Sequence, residues 1–370
     1  MKLKKVKSRR DLNDFISLPW KIYHNDPAWV PPLISEVKFV LSRDKNPFWK
    51  HAEGQLFLVK KEGKMVGRIA AIIDHLHVDH RKEKAGFFGF FESYNDYEIA
   101  ELLLSTAKMY LKEKGMEIMR GPINPSTNEE CGMLTGGFNF PPYIMMTHNP
   151  PYYPGFMERF GLGKAVDWYA YLAPVPSQLP PEVSIAANFA AEKCPQVRIR
   201  PVNMQKFEEE IKKIQEVYNS AWSKNWGFVP FTDQEMISLG KRLKPLAIPE
   251  LALLAEIEGK PIGTLITVPN FNQVLKHLNG RLFPFGFLKA LYYGRKIDSV
   301  RLIIMGVKEE YRKVGIEALL YLEALKAARK YNMKWVESSM ILEENMLTRK
   351  AAELGGGKPY KTYRIYEMRI

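Results

Sequence analysis

Two stretches of this chain, 217 residues apart, carry the same helix-then-strand plan. In the first, "AELLLSTAKMYLKEKG" reads as an amphipathic helix followed by the strand "MEIMRG"; in the second, "EALLYLEALKAARKYN" is followed by "MKWVES". The constant offset of 217 pairs Ile99 with Ile316, Leu102 with Leu319, Leu103 with Leu320, Ala107 with Ala324, Met116 with Met333 and Asn128 with Asn345. Upstream, "AWVPPL" (28–33) and "GFVPFT" (227–232) match at an offset of 199. The change of register by 18 residues is accounted for by an insertion in the second half at about 270–297. Agreement of the identities with the order of elements points to a duplication.

The duplicated plan restricts the fold. Each half reads as a strand, one or two helices, a β-hairpin, a further strand, a helix, a strand, a helix and closing strands. In the second half these are "VRIRPV", a helix from Met204, the hairpin "LALLAEIEGKPIGTLITV", "SVRLIIMGV", a helix from Ile316, "KWVESSMI", a helix near Asn345 and "KTYRIYEMRI". "KEGK" (61–64) and "EGK" (258–260) are Gly-containing hairpin turns. The expected class is α/β (α+β), two domains each with a mixed, mostly antiparallel sheet flanked by helices. A length of 370 residues suits two domains. The boundaries fall at 1–172, a Pro-rich linker at 173–196, and 197–370.

Composition narrows the function classes. A hydrophobic share of 46% with 26% charged residues is globular. No apolar run reaches the roughly 18 residues of a membrane span, and the basic start lacks the apolar stretch of a signal peptide. Cys131 and Cys194 are too few for a disulfide framework or a cysteine zinc site. The expectation is a cytoplasmic protein. Its net charge of +13 favours anionic partners: a phosphate-bearing cofactor, RNA or an anionic membrane face. No zinc-finger spacing or arginine-rich arm points to DNA.

"VKEEYRKVGIEALL" (307–320) has the form of a phosphate-holding turn, with an arginine, a glycine three places on and then an apolar helix. Successive backbone N–H groups at a helix N-terminus bind anions, and a glycine lets backbone approach closely. Together with "EENMLTRKAAELGG" after it, the second half resembles the GNAT acyltransferase superfamily over roughly 197–370. The first half resembles the same fold more faintly. The family motif runs from a strand ending in Val to an Arg or Gln five residues on, two more residues, Gly, one residue, then Gly or Ala. Here it is Val307, Arg312 and Gly315, with Glu317 departing from the last position. Glu317 either turns its side chain outward or repels the pyrophosphate.

The resemblance implies an acyl-CoA-dependent N-acyltransferase using no metal, with Met305, Val307, Arg312, Lys313, Val314, Gly315, Ile316 and Asn345 on the coenzyme side. It also implies backbone donors near Met305–Val307 for the oxyanion. In the first half the matching positions are Asn95, Asp96, Tyr97 and Glu98, whose carboxylates and missing glycine do not suit a pyrophosphate. That half is read as a degenerate scaffold on the acceptor side. Two rivals stand beside this reading: a transferase using aminoacyl-tRNA, and a non-catalytic acyl-CoA-binding protein.

The chemistry needs a base for the ammonium proton and an acid for the leaving thiolate. Glu337 and Glu343 share a strand face with Ser339 and Ile341 by period two, and are the candidate bases or else surface carboxylates. The tyrosine acid of many family members would fall near Ala351 and Ala352. Tyr363 is the substitute chosen among Tyr360, Tyr363 and Tyr366, which otherwise read as strand-packing aromatics. "RGPINPSTNEECGMLTGGF" supplies Asn124, Ser126, Asn128 and Glu129 as an acceptor loop or an ordinary solvated loop, with Tyr152 and Tyr153 as pocket walls. "DHLHVDH" (74–80), read as a strand end, places His75, His77 and Asp79 on one face, but a polar strand end is preferred to a metal site.

The insertion, 274–296, carries Lys276, Arg281, Lys289, Arg295 and Lys296, ten large apolar or aromatic residues and no acid, and Pro284 and Gly286 break it into two helical pieces. It reads either as a flap on the sheet or a second subunit, or as a segment that lies on an anionic membrane or closes over a long acyl chain. The acceptor is then a small-molecule or lipid amine, with the inner membrane face as a peripheral location.

Overall fold

The structure is a computed structural model that describes every residue from Met1 to Ile370 except Leu179. It divides into two compact units, Met1–Trp168 with Leu275–Ala290 and Lys361–Ile370, and Tyr169–Val274 with Leu291–Tyr360. Along the first segment come β1 (Lys2–Lys5), the short helices α1 (Arg9–Ser17), α2 (Pro19–Ile22) and α3 (Ile34–Val40), the hairpin β2 (Ala52–Lys61) and β3 (Lys64–Asp74), α4 (His75–Arg81), and β4 (Ala85–Ser93). Then follow α5 (Tyr97–Glu113), β5 (Ile118–Gly121), the short pair β6 (Ile123–Asn124) and β7 (Glu130–Cys131), β8 (Met133–Gly136), α6 (Tyr153–Arg159) and β9 (Gly163–Pro174).

The rest of the chain supplies α7 (Pro181–Lys193), β10 (Arg198–Pro201), α8 (Phe207–Ala221), α9 (Asp233–Leu243), the hairpin β11 (Ala252–Ile257) and β12 (Lys260–Pro269), α10 (Asn272–Leu278), and α11 (Gly286–Gly294). It continues with β13 (Ser299–Val307), α12 (Ile316–Lys330), β14 (Trp335–Leu342), α13 (Met346–Leu354), and β15 (Lys358–Arg369).

The duplication is visible in strand order and sense. In the first unit β1, β2, β3 and β4 are successively antiparallel, and β5 adds parallel to β4. In the second unit β10, β11, β12 and β13 are antiparallel, and β14 adds parallel to β13. Both hairpins turn through a Glu-Gly pair in the left-handed region, Glu62 and Gly63 at φ 49° and 82°, Glu258 and Gly259 at φ 50° and 78°. Two consecutive residues at positive φ give the turn whose twist matches the flanking strands.

Each unit has its own core. Ile99, Leu103, Leu104, Ala107 and Leu111 of α5 pack on Phe57, Val59, Ile69 and Ala71 of the first hairpin. A Cβ at Gly67 would stand 2.8 Å from the Leu103 side chain, so this glycine lets α5 lie directly on β3. In the second unit Ile316 and Leu320 of α12 join Leu253, Ala255, Ile262, Leu265 and Val307. The first unit's sheet is completed by the end of the chain, where β15 runs antiparallel to β5 from Tyr366–Gly121 to Arg369–Ile118.

Two local readings change. Residues 75–81 form a helix, not a strand end, because the Asp74 carboxylate caps it by accepting from the Leu76 amide at 3.0 Å. His77 is buried beside Glu83 at 2.9 Å, and the turn of the helix separates it from His75 and Asp79. The stretch expected to be linker contains α7, which packs on α12. Among the described residues no group of three or more His, Cys, Asp or Glu side chains could hold a metal ion, and no helix is long and apolar enough to cross a membrane.

Candidate active site

In the second unit β13 and β14 pair in parallel from Ser299–Trp335 to Leu302–Ser338, and there the pairing ends, five residues short of Val307. From Ile303 to Val307 the edge of β13 turned away from β12 pairs with no strand among the described residues. Open main-chain groups on a strand edge are a template for another extended amide chain. Met305 and Val307 lie on this length, the Val307 carbonyl there being taken up by Arg312.

Beyond Val307 an eight-residue connection, 308–315, leads into α12. Lys313 at φ 66° and Gly315 at φ 86° are both left-handed, and Gly315 is the N-cap. None of the amides from Lys313 to Glu317 is taken up by a hydrogen bond among the described residues. Left-handed turns and a helix start present such amides together as an anion-binding concavity. Arg312 holds the turn: its Nε donates to the Val307 carbonyl at 3.0 Å and its Nη2 to the Ala221 carbonyl at 2.8 Å. Glu317 is half-buried in the first turn of α12.

Two glycines admit neighbours rather than a ligand. A Cβ on Gly306 would collide with the Trp222 ring, which stacks on Tyr218. A Cβ on Gly315 would stand 2.6 Å from the Ala186 carbonyl of α7 and 3.1 Å from the Ala190 Cβ. Gly315 therefore serves both the left-handed turn and the packing of α7. Nothing in its own sequence marks α7 as the neighbour of Gly315, although its small residues, "AANFAAE", suit close helix contact.

The strand face expected for Glu337, Ser339 and Ile341 is the buried face of β14. Glu337 is 0% exposed, and its carboxylate lies 3.3 Å from Arg301 Nε, its register partner on β13. The same Nε donates to Ser339 Oγ at 3.1 Å. Glu343 follows the end of β14 and is half-buried, and its carbonyl accepts from Arg349. Asn345 caps α13 through the Thr348 amide at 3.2 Å. Tyr171, which sequence reasoning did not single out, brings its hydroxyl to α13, 3.1 Å from Arg349 Nε and 3.3 Å from Glu353.

In the first unit the corresponding strand edge is filled. The parallel pairing of β4 with β5 ends at Phe87–Arg120. Past that point Asn124 Oδ1 accepts from the Phe90 amide at 2.6 Å, and the Tyr152 hydroxyl donates to the Ser93 carbonyl at 2.9 Å. The Tyr153 hydroxyl accepts from the Ser93 amide and donates to Glu92 at 2.8 Å each. Only residues 94–96 connect β4 to α5, and Asp96 caps that helix with its own carboxylate, 3.1 Å from the Glu98 amide.

Ser126 is buried and organises its loop by accepting from the amide of Asn128 with its hydroxyl and from that of Glu129 with its carbonyl. Tyr363 is fully buried in this unit, its hydroxyl 3.3 Å from the Thr147 carbonyl. The neighbouring His148 is a second residue the sequence did not flag. Its Nε2 lies 2.7 Å from Asp26, and burial keeps its pKa below the ordinary value although Asp26 opposes the shift.

Comparison with known proteins gives no matching family model. The chain is 37% identical over 372 residues to protein YghO of Escherichia coli, covering 98% of this chain and 94% of that protein. It is 36% identical over 370 residues to a bacterial ceramide synthase of Caulobacter vibrioides, covering 98% and 96%. Among solved structures a tandem GNAT protein from the clavulanic acid biosynthesis pathway superposes with a TM-score of 0.60 at 9% identity, over 100% of this chain and 98% of that one. The fold is thus that of a tandem GNAT protein, and the chain belongs to the family that contains protein YghO and the bacterial ceramide synthase.

Proposed function

We propose that the second unit transfers an acyl group, a long-chain one, from the thioester of an acyl-CoA to a lipid amine, forming an amide. The observation that carries this reading is the open edge of β13 running into the free amides of Lys313–Glu317: a strand edge suited to the amide-bearing pantetheine arm, then an anion cradle suited to the pyrophosphate. The acceptor class is drawn from the relative named a ceramide synthase, ceramide being a fatty amide of a long-chain amino alcohol.

In the reaction the amine nitrogen bonds the thioester carbonyl carbon and the C–S bond breaks. Of the two protons leaving the ammonium, one goes to a base and the other to the thiolate. Glu343, half-buried at the end of β14, suits the base. Glu337, buried against Arg301, instead positions the strand pair just before its pairing ends at Leu302–Ser338.

The test is to incubate the purified protein with palmitoyl-CoA or acetyl-CoA and a long-chain amino alcohol, reading free thiol and product mass. Thiol release with palmitoyl-CoA, matched by an amide of the summed mass, is the expected result. No thiol release from either donor defeats the proposal.

A further inference from the structure

The segment between β12 and β13 is anchored at its base and bare at its tip. At the base, Val274 and Leu278 of α10 are buried, and Lys276 Nζ donates to the Pro27 carbonyl at 2.9 Å. Asn279 accepts from Trp20 Nε1 at 2.8 Å, and the Gly280 carbonyl accepts from the Ile34 amide at 3.0 Å. Gly280 is left-handed at φ 78°, and any Cβ there would stand 2.5 Å from the Trp20 ring. The base of the segment is therefore fixed by packing.

At the tip the pattern reverses. Phe283 is 73% and Phe285 71% exposed, and Phe287, Leu288, Leu291 and Tyr292 of α11 are exposed as well. Large apolar side chains this dense on one short segment are seldom left to water unless something covers them. Arg281, Lys289, Arg295 and Lys296 are exposed among them, and residues 274–296 include no acid. Aromatic side chains flanked by cations are the composition that rests at a bilayer interface, rings at the acyl boundary and cations at the phosphates.

We propose that this tip, Arg281–Lys296, docks the protein on an anionic membrane surface. Charge selects the bilayer over a second copy of the chain, because a twofold contact through this tip would set the same cations against themselves. The anchored base leads directly into Arg281–Ala290 of the same unit, so the apolar side chains there enter the interface without that stretch first having to order.

The experiment uses the full chain and vesicles of phosphatidylcholine, alone or mixed with phosphatidylglycerol, read by co-sedimentation with neither acyl donor nor acceptor present. A failed amide-forming assay would therefore leave this test intact. The wild type is expected to pellet with the anionic vesicles and to be released by salt. Two triple variants probe the tip, F283S/F285S/L291S and K289E/R295E/K296E, with circular dichroism as the control for folding. Each should weaken vesicle binding at least about tenfold. A wild type that stays in the supernatant with both vesicle types overturns the proposal, as does binding that neither variant weakens. So does a dimer in sedimentation equilibrium that the aromatic triple variant dissociates, because the tip would then be covered by a second copy.

Discussion

Gly315 shows how one residue carries demands that its motif does not separate. Its φ of 86° is left-handed, and the Ala186 carbonyl of α7 lies where a side chain would begin. Gly259 offers a control, left-handed at φ 78° with open space within 4 Å of where its Cβ would stand. Gly315→Ala and Gly259→Ala should each lose about 1–2 kcal/mol to the left-handed backbone. Gly315→Ala should lose more, and it alone should speed proteolysis within 173–196 as α7 lifts from α12. Urea unfolding and limited proteolysis check this, and equal losses with equal cleavage would show that α7 does not lean on this glycine. The glycine itself was legible in the sequence through its spacing from Val307 and Arg312. Its neighbour was not, since a contact with a helix more than a hundred residues upstream leaves no local mark. Glu337 is a similar case. Alternation placed it on one face with Ser339, but nothing in the strand said that Arg301 would meet it there.

Elements were legible where a short-range rule decides them. The Glu-Gly turns illustrate this, since a two-residue loop with glycine second between alternating strands has few other solutions. Glutamate in the first turn position is nevertheless a poor choice, because its Cβ crowds the backbone at φ near 50°. Asparagine tolerates that conformation, so Glu62→Asn and Glu258→Asn should each raise stability by about 0.5 kcal/mol or more. Urea midpoints that do not rise would show that the carboxylates make compensating contacts. The helix α4 escaped the period-two reading because alternation of His75, His77 and Asp79 over so few residues does not distinguish a strand from a helix turn. Its decisive signal was Asp74 as a cap, a residue type favoured at helix starts. The Pro-rich front of 173–196 likewise obscures α7 in the sequence, although the first turn of that helix accepts Pro181.

For the whole molecule, duplication was the most legible feature, because two cores built on one plan repeat their apolar spacing. The completion of the first unit by Lys361–Ile370 was not, since β15 finds β5 across most of the chain. The two copies have diverged where a coenzyme would sit, and this bears on stoichiometry. In the second unit eight residues link strand to helix and leave free amides from Lys313 to Glu317. In the first unit three residues make the same link, and Asp96 places a carboxylate at the helix start. Asn124, Tyr152 and Tyr153 also occupy the edge of β4 at Phe90 and Ser93. A pyrophosphate there would meet the Asp96 carboxylate, already paired with Lys61 at 2.8 Å, where the second unit has free donors, and a pantetheine arm would find its hydrogen-bonding partners taken. Calorimetry with palmitoyl-CoA should therefore give one site per chain. Lys313→Glu, which puts a negative charge on the second unit's turn, should weaken that site at least tenfold, about 1.4 kcal/mol. Asp96→Asn should leave the affinity unchanged. A stoichiometry of two, or a loss of binding in Asp96→Asn with Lys313→Glu silent, would place a coenzyme on the first unit and reverse the roles assigned to the two copies.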